Sequence, residues 1–560
     1  MSHRFALSAV SLLFAMLCVM GIDWGLPSRG IDRYLFGDAE PWNGQKIHDL
    51  SQAQQKQSAV RGADVDADPL ATAVYPVPLT DTDRKAAAVY LRYRLYTHQP
   101  DEMITLMALA RMKPGSFDLD PGLYQYGGLF VYPVGAIIKL GGMLGLIEVR
   151  SDLVYYLDHP DAFGRFYVAA RAYVAAWGLL GVWVVYAIGR RLGGSSAGLV
   201  SAMLYTVLPV VVCMTHEAKP HLPGAVLMLL GVWSAMRYVE SARRRDWIFL
   251  CLACGSALGM VLSSLPVFVL IPLVELIRIQ KAGQGLTRAV GRATGGLALA
   301  LGTYAVTNPY VIINLFVNRQ VLQSNFGNSL AMYQVTRIGE GFVRMIQLTA
   351  EGATWMVLVF GVAGLIILTR NRWVQSVPLL CVAGLLFVQF VLIGAGKPAE
   401  YGRFGILIDV TLVLATACLL TDPYLRRFGK LAPLPALAVA VGVGWFGYPY
   451  LANFMADASP NHSRMAMARA LEESNSPLAV LAEPAPYCCP PLDFARRPLF
   501  LFRSADDWRQ RAASATQHGN TGFPRLLLSV GDNDSGTSPI SWANKPFTFQ
   551  HAPGPGTRPQ

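Results

Sequence analysis

The chain has 560 residues, 53% of them hydrophobic and only 15% charged, with a formal net charge of +11. Soluble proteins carry about 25% charged residues, and the apolar residues here fall in blocks of roughly 18 to 22, enough to cross a hydrocarbon core about 30 Å thick. This excludes an ordinary soluble domain. The basic residues sit in short clusters between apolar blocks, with no basic patch interleaved with aromatics, which argues for membrane topology and against nucleic acid as a partner.

The first block, "FALSAVSLLFAMLCVMGI" (residues 5–22), follows His3 and Arg4 and has no small-x-small cleavage site after it, so it reads as a retained span. A long polar stretch follows. In it "RGADVDADPL" reads as solvated loop, and "TDTDRKAAAVYLRYRLYTH" as a helix opened by a capping Thr or Asp. Next comes "HQPDEMITLMALARM", with adjacent Asp101 and Glu102 directly after Pro100 at a helix start. The Gly- and Tyr-rich residues 128–148 read as an interfacial helix.

Further spans are expected near 168–189, 195–214, 222–240, 246–262, 264–279, 293–313, 352–369, 375–395, 404–421 and 432–452, about eleven with the first. Two of the cysteines form "CLAC" inside an expected span, where packing outweighs a redox reading. Cys488 and Cys489 are adjacent in the tail and read as free thiols or as having outside partners. The tail, 453–560, contains the strand-like runs "PLAVLAEPAPY" and "FPRLLLSVGD" and ends in a disordered "HAPGPGTRPQ". It reads as a small α/β or β-rich domain after a membrane module over 1–452.

Lysine and arginine counts set the orientation. With the amino terminus in the cytoplasm and 128–148 interfacial, the clusters at Arg190–Arg191, Arg243–Arg245, Arg278–Arg292, Arg370–Arg372 and Arg426–Lys430 all fall inside. A full crossing at 128–148 would put them all outside. The external face then holds the loop with Asp101, "THEAKPHLP", residues 314–350, "GKPAEYGRFG" and the tail.

Ionisable residues close to span ends suggest a site. Asp101 is placed to act as a general base toward a hydroxyl or amine, held ionised by a helix amino terminus; its alternative is an N-cap. Arg403, where an external loop enters a span, can grip a phosphate with two parallel hydrogen bonds or snorkel as an anchor. Lys219 poses the same choice. His216, Glu217 and His221 could ligate a divalent metal, although their spacing matches no common zinc pattern.

In order and topology these segments resemble the GT-C membrane glycosyltransferases of the glycosyltransferase family 39-like type, the protein mannosyltransferases and lipid A aminoarabinose transferases. The resemblance spans residues 1–450. It rests on "HQPDE", on "FGRFYVAARAYVAAWGLLGVWVVYAIGRRLGG", on "THEAKPHLP" and on "EYGRFGILID". Two departures stand out. The nearby acid in the second loop is Glu217, where many relatives have an Asp near the position of His221. Arg403 also lacks the usual following tyrosine and proline.

The resemblance implies a mainly α fold, a polytopic transmembrane bundle of GT-C type with a small extracytoplasmic α/β C-terminal domain, in the inner (plasma) membrane. The long external loop, 23–167, would carry the catalytic motif. A polyprenyl-phosphate sugar would be the donor, and a protein or glycolipid the acceptor. Asp101 would be the base with Glu102 beside it, transfer would invert the anomeric centre, and Arg403, Lys219 and Tyr401 would take the lipid phosphate. Glu217, His216 and His221 would face the acceptor or a metal; no other cofactor is implied. A transporter or flippase of a lipid-linked sugar, and a noncatalytic scaffold, are the alternatives. A transporter favours charges within spans and a two-fold repeat, and neither is found.

Overall fold

The structure, a computed structural model, describes residues 3–60, 77–333, 335–396, 402–422, 433–458, 463–472, 477–481, 489–502, 504–517, 523–524, 526–530 and 547–551. The loop expected at 61–70, Tyr401, the basic cluster at 426–430, Cys488 and the tail end from 552 lie outside these residues.

The protein is mainly α-helical, with a small α/β unit at the carboxyl side. Among the described residues six helices are long and apolar enough to cross a membrane, and nine such spans result if each of three bent pairs is one. The bends fall between Ser195–Val207 and Pro209–Thr215 (57°), Leu286–Thr307 and Pro309–Phe316 (87°), and Ile338–Gly352 and Trp355–Asn371 (106°). Two of the bends precede a proline, which cannot donate to the preceding turn and clashes with it. The third has no proline; Thr354 sits there at φ 76° and caps the next helix through Val357 N.

Two further expected spans form the helices His3–Val19 and Arg244–Met260, 17 residues each. At 1.5 Å per residue these are about 25 Å long, short of a 30 Å core. Gly128–Met143, at 16 residues, is shorter still. Arg244–Met260 lies very close to Leu286–Thr307. A Cβ at Gly255 would stand 2.2 Å from the Ala300 carbonyl oxygen, so only glycine allows that approach.

The long loop before Asp101 is folded. Thr82 caps Asp83–Leu95 by accepting from Lys85 N, as the capping pattern predicts. Buried Arg94 pairs with Asp32 at 2.8 Å and donates to the Leu157 carbonyl, which ties that helix to the rest of the loop.

The carboxyl-side unit holds a five-stranded sheet: β1 (Val77–Pro78), β2 (Leu478–Leu481), β3 (Leu499–Phe502), β4 (Leu526–Val530) and β5 (Phe547–His551), in the order β1-β3-β2-β4-β5. The three central strands are parallel and both edges antiparallel. Helix Ala505–Gln517 covers it through buried Trp508, whose Nε1 donates to the Pro524 carbonyl at 2.8 Å. Strand β1 comes from the long loop before Asp101, with Val77 opposite Leu501. Tyr93 strengthens this junction by donating its hydroxyl to the Pro490 carbonyl at 2.8 Å, with the Cys489 carbonyl 3.0 Å away. The unit is therefore joined to the helix that leads directly into the Asp101 turn.

Candidate active site

Asp101 lies in a 3-10 turn, Pro100–Glu102, just before helix Met103–Arg111. The cap of this turn is Gln99, whose side-chain oxygen accepts from Asp101 N. Asp101's own carboxylate points elsewhere: Oδ2 accepts from Arg403 Nη1 at 2.6 Å and lies 3.3 Å from Lys219 Nζ. Lys219 is also 3.1 Å from Glu217 Oε2. Three segments far apart in sequence thus meet at one carboxylate oxygen.

Burial sharpens these contacts, because a charge withdrawn from water feels its neighbours more strongly. Lys219 and Glu217 are almost fully buried, Arg403 is 12% exposed and Asp101 28%. Burial pushes the Asp101 carboxyl up, but Lys219 and then Arg403 outweigh it and hold the group well below the usual carboxylate range. In the resting site Asp101 is an ionised, firmly paired acid.

Glu102 turns the other way. Arg171 grips it with a two-pronged fork, Nε to Oε1 at 2.8 Å and Nη2 to Oε2 at 2.7 Å. Thr97 Oγ1 adds a bond at 2.6 Å and Ala218 N another at 2.7 Å. Both partners of the ion pair are fully buried. With four donors, Glu102's oxygens are well satisfied, and its geometry is that of a bracket joining the Asp101 turn to the Lys219 turn. Arg171 Nη1 also donates to the Ile22 and Trp24 carbonyls at 2.8 Å, tying in the segment that follows the first helix. Sequence reasoning missed Arg171. Its signal was an arginine inside the apolar block 168–189, which corrects the expectation that no charge lies within a span and which demands an internal partner.

The three residues considered for a metal do not converge. His216 places Nδ1 2.7 Å from the Val212 carbonyl and Nε2 2.9 Å from the Met20 carbonyl, and stacks on Phe454. Burial pushes its pKa below the usual value. Glu217 is taken by Lys219, and His221 lies edge-on to Phe404 at 4.9 Å. No group of three His, Cys, Asp or Glu side chains among the described residues could hold a metal ion.

Behind the turn, Trp24 Nε1 donates to the His216 carbonyl at 2.7 Å and packs against His98. Gly25, at φ +57°, lies so close to His98 that a Cβ would come within 2.7 Å of its ring. His98 Nδ1 is 3.7 Å from Asp457 Oδ2, which also pairs with Arg464 at 3.3 Å. The segment after the last span is thereby connected to the residues preceding Asp101.

Residues 162–306 match the family described as dolichyl-phosphate-mannose-protein mannosyltransferase. No curated protein matches the chain. Among solved structures, ArnT from Cupriavidus metallidurans bound to undecaprenyl phosphate is similar at 16% identity and a TM-score of 0.45, over 78% of this chain and 89% of that one. The archaeal oligosaccharyltransferase AglB from Archaeoglobus fulgidus, in complex with an inhibitory peptide and a dolichol-phosphate, is similar at 11% identity and a TM-score of 0.39, over 86% and 69%. The chain is a multi-pass membrane protein, and the family match supports a membrane glycosyltransferase of GT-C type, in line with the resemblance read from the sequence.

Proposed function

We propose that the protein transfers a sugar from a polyprenyl-phosphate donor to an acceptor hydroxyl or amine on the extracytoplasmic face of the membrane, with inversion. The observation that carries this reading is the single carboxylate oxygen of Asp101 shared by Arg403 and Lys219. A carboxylate beside two cations supplies a base and a phosphate grip in one place.

The paired state has a consequence. An acid held so strongly is a poor base, since proton transfer is most efficient when the base's pKa lies near the working pH. A phosphodiester arriving at Arg403 and Lys219 competes for the same donors, and Asp101 becomes more basic as they turn to it. The acceptor oxygen or nitrogen then attacks the anomeric carbon, its proton passes to Asp101, and the bond from that carbon to the phosphate oxygen breaks. The lipid phosphate leaves with one more negative charge, which Arg403 and Lys219 stabilise. One displacement inverts the anomeric centre. Glu102 contributes by position, holding the two turns together, and Glu217 by steadying Lys219.

Purified protein in detergent is to be assayed with a polyprenyl-phosphate sugar and, separately, with the matching nucleotide sugar. Transfer is expected only from the lipid donor. Turnover with the nucleotide sugar in the absence of any lipid carrier would sink the reading.

A further inference from the structure

We propose that the end of the helix bundle remote from Asp101 carries a headgroup site for an anionic phospholipid, built by Arg278 and Arg292 where helices Leu270–Ala282 and Leu286–Thr307 meet the end of His221–Ser241. Lys219, which reaches Asp101, stands just before that last helix, and Tyr238 lies near its far end, about 25 Å along at roughly 1.5 Å per residue. The turn 283–285 joins the other two helices, and its Gln284 is the centre of the arrangement. Gln284 Oε1 accepts from Arg278 Nε at 3.0 Å and from Arg292 Nη1 at 3.5 Å. Arg292 Nη1 also donates to the Tyr238 hydroxyl at 3.0 Å, and the Arg278 guanidinium lies over the Tyr238 ring, 4.9 Å from its centroid.

Two guanidinium groups thus converge on one neutral oxygen, and neither forms an ion pair. Glu275, the acid of this cluster, is buried and has both oxygens taken, Oε1 by the Tyr238 hydroxyl at 2.8 Å and Oε2 by Gln284 Nε2 at 2.7 Å. Lys281, one turn after Arg278, and Arg288, one turn before Arg292, lie on the same helix faces. Both are exposed and have no acidic partner among the described residues. A snorkelling arginine extends singly toward water, whereas these two turn inward onto one amide. Like charges held together beside a low-dielectric bundle repel. A phosphodiester between them relieves that repulsion and takes charge-assisted hydrogen bonds from both forks. Beyond the cations the surface is apolar and bare. Leu276, Leu286 and Val290 are exposed, and a Cβ added at Gly291, Gly295 or Gly302 would meet no atom within 4 Å. A cationic end on an uncovered apolar face matches a molecule with a phosphate head and acyl chains, as in other basic pockets between spanning helices.

The test is native mass spectrometry on the detergent-purified full chain, titrated with phosphatidylglycerol, with phosphatidylcholine of the same acyl chains, and with soluble glycerol phosphate. A basic side chain at a membrane surface is worth about fivefold in affinity for an anionic lipid. Phosphatidylglycerol is therefore expected to bind about tenfold more tightly than phosphatidylcholine, or better, and glycerol phosphate not to bind over the same range. Arg278→Gln with Arg292→Gln should lower phosphatidylglycerol binding about twenty- to thirtyfold and leave phosphatidylcholine unchanged. Arg370→Gln with Arg372→Gln removes the same charge from another exposed turn and should lower it less than about threefold. If the first double variant does not fold, the wild-type preference between the two lipids still decides. Equal affinity for both lipids, or glycerol phosphate binding as tightly as phosphatidylglycerol, would overturn the site. An equal loss in both double variants would reduce the arginines to a diffuse positive rim and overturn it too. A lipid-free dimer would assign the bare face to a second copy of the chain, with the same consequence.

Discussion

Asp101→Asn should separate binding from chemistry, and in opposite directions. In the resting site Asp101 Oδ2 occupies Arg403 at 2.6 Å and sits 3.3 Å from Lys219. A donor phosphate must displace it. A charge-assisted hydrogen bond contributes about 1.5–3 kcal/mol. Lys219 keeps Glu217 at 3.1 Å after the substitution, and the Asp101 side chain is 28% exposed. Both facts put the released energy at the lower end, about 1.5 kcal/mol, or roughly tenfold in affinity. Asp101→Asn is therefore expected to bind polyprenyl phosphate roughly tenfold more tightly than the wild type, and to lose about 10²- to 10⁴-fold in turnover because an amide accepts no proton. The assay is a titration of detergent-purified protein with polyprenyl phosphate, followed by tryptophan fluorescence, alongside single-turnover transfer. Unchanged or weaker binding by the variant would refute competition between Asp101 and the phosphate. Near-normal turnover would remove Asp101 as the base.

Arg171→Leu leaves Glu102 buried and uncompensated, which costs about 3–5 kcal/mol; a large fall in detergent melting temperature is expected, partly recovered by the double substitution with Glu102→Leu, and a wild-type melting curve for Arg171→Leu would show that the pair holds nothing. The folded-state pKa of Asp101 is lowered, so its ion pairs are fully present above the ordinary carboxylate value and lost only as pH falls through the lowered one. The melting difference between wild type and Asp101→Asn should accordingly stay level from about pH 8 to about pH 5 and shrink only in stronger acid; shrinkage already between neutrality and about pH 6 would contradict the lowered pKa. Tyr93→Phe removes the hydroxyl that donates at the junction with the carboxyl-side unit, a loss of about 1 kcal/mol, and should speed limited proteolysis of the tail without altering helix content; equal proteolysis rates would exclude that role. A cysteine introduced at Ala63 should be labelled from outside the cell and one at Arg244 should not, and the reverse pattern would invert the whole arrangement.

The sequence made the apolar helices and the three cationic and acidic segments readable, because burial in lipid forces long apolar runs and leaves few places for charge. Asp101, Lys219 and Arg403 could be picked out for that reason, and the structure brings them together. It could favour Asp101 over Glu102 from its place directly after Pro100, but could not say what fixes which of the two faces the site. That choice is made by Arg171, 69 residues beyond Glu102, and local propensity carries no information about so distant a partner. The two-residue strand β1 was equally hidden: its pairing with β3 joins Val77 to Leu501, and two residues are too few to show an alternating pattern. The 106° bend at Thr354 has neither proline nor glycine at the residue that turns. Tertiary packing imposes it, and composition does not announce it.

Sharing one pair of cations between base and phosphate gives the proposed reaction a charge logic. At rest, Lys219 and Arg403 face Asp101 and Glu217, and the four charges cancel. A bound phosphodiester adds one negative charge. When the anomeric bond breaks, the phosphate gains a second. At that moment Asp101 takes the acceptor's proton and loses its own charge. The negative charge facing Arg403 and Lys219 is then the same before and after transfer, although it has moved from the carboxylate to the phosphate. In a partly buried site an uncompensated change of one charge is expensive, so a base placed anywhere else would leave the cations facing one more negative charge in the product state than in the substrate state. The short Arg403–Asp101 contact that makes the resting base weak is on this argument what lets proton transfer and departure of the phosphate proceed together.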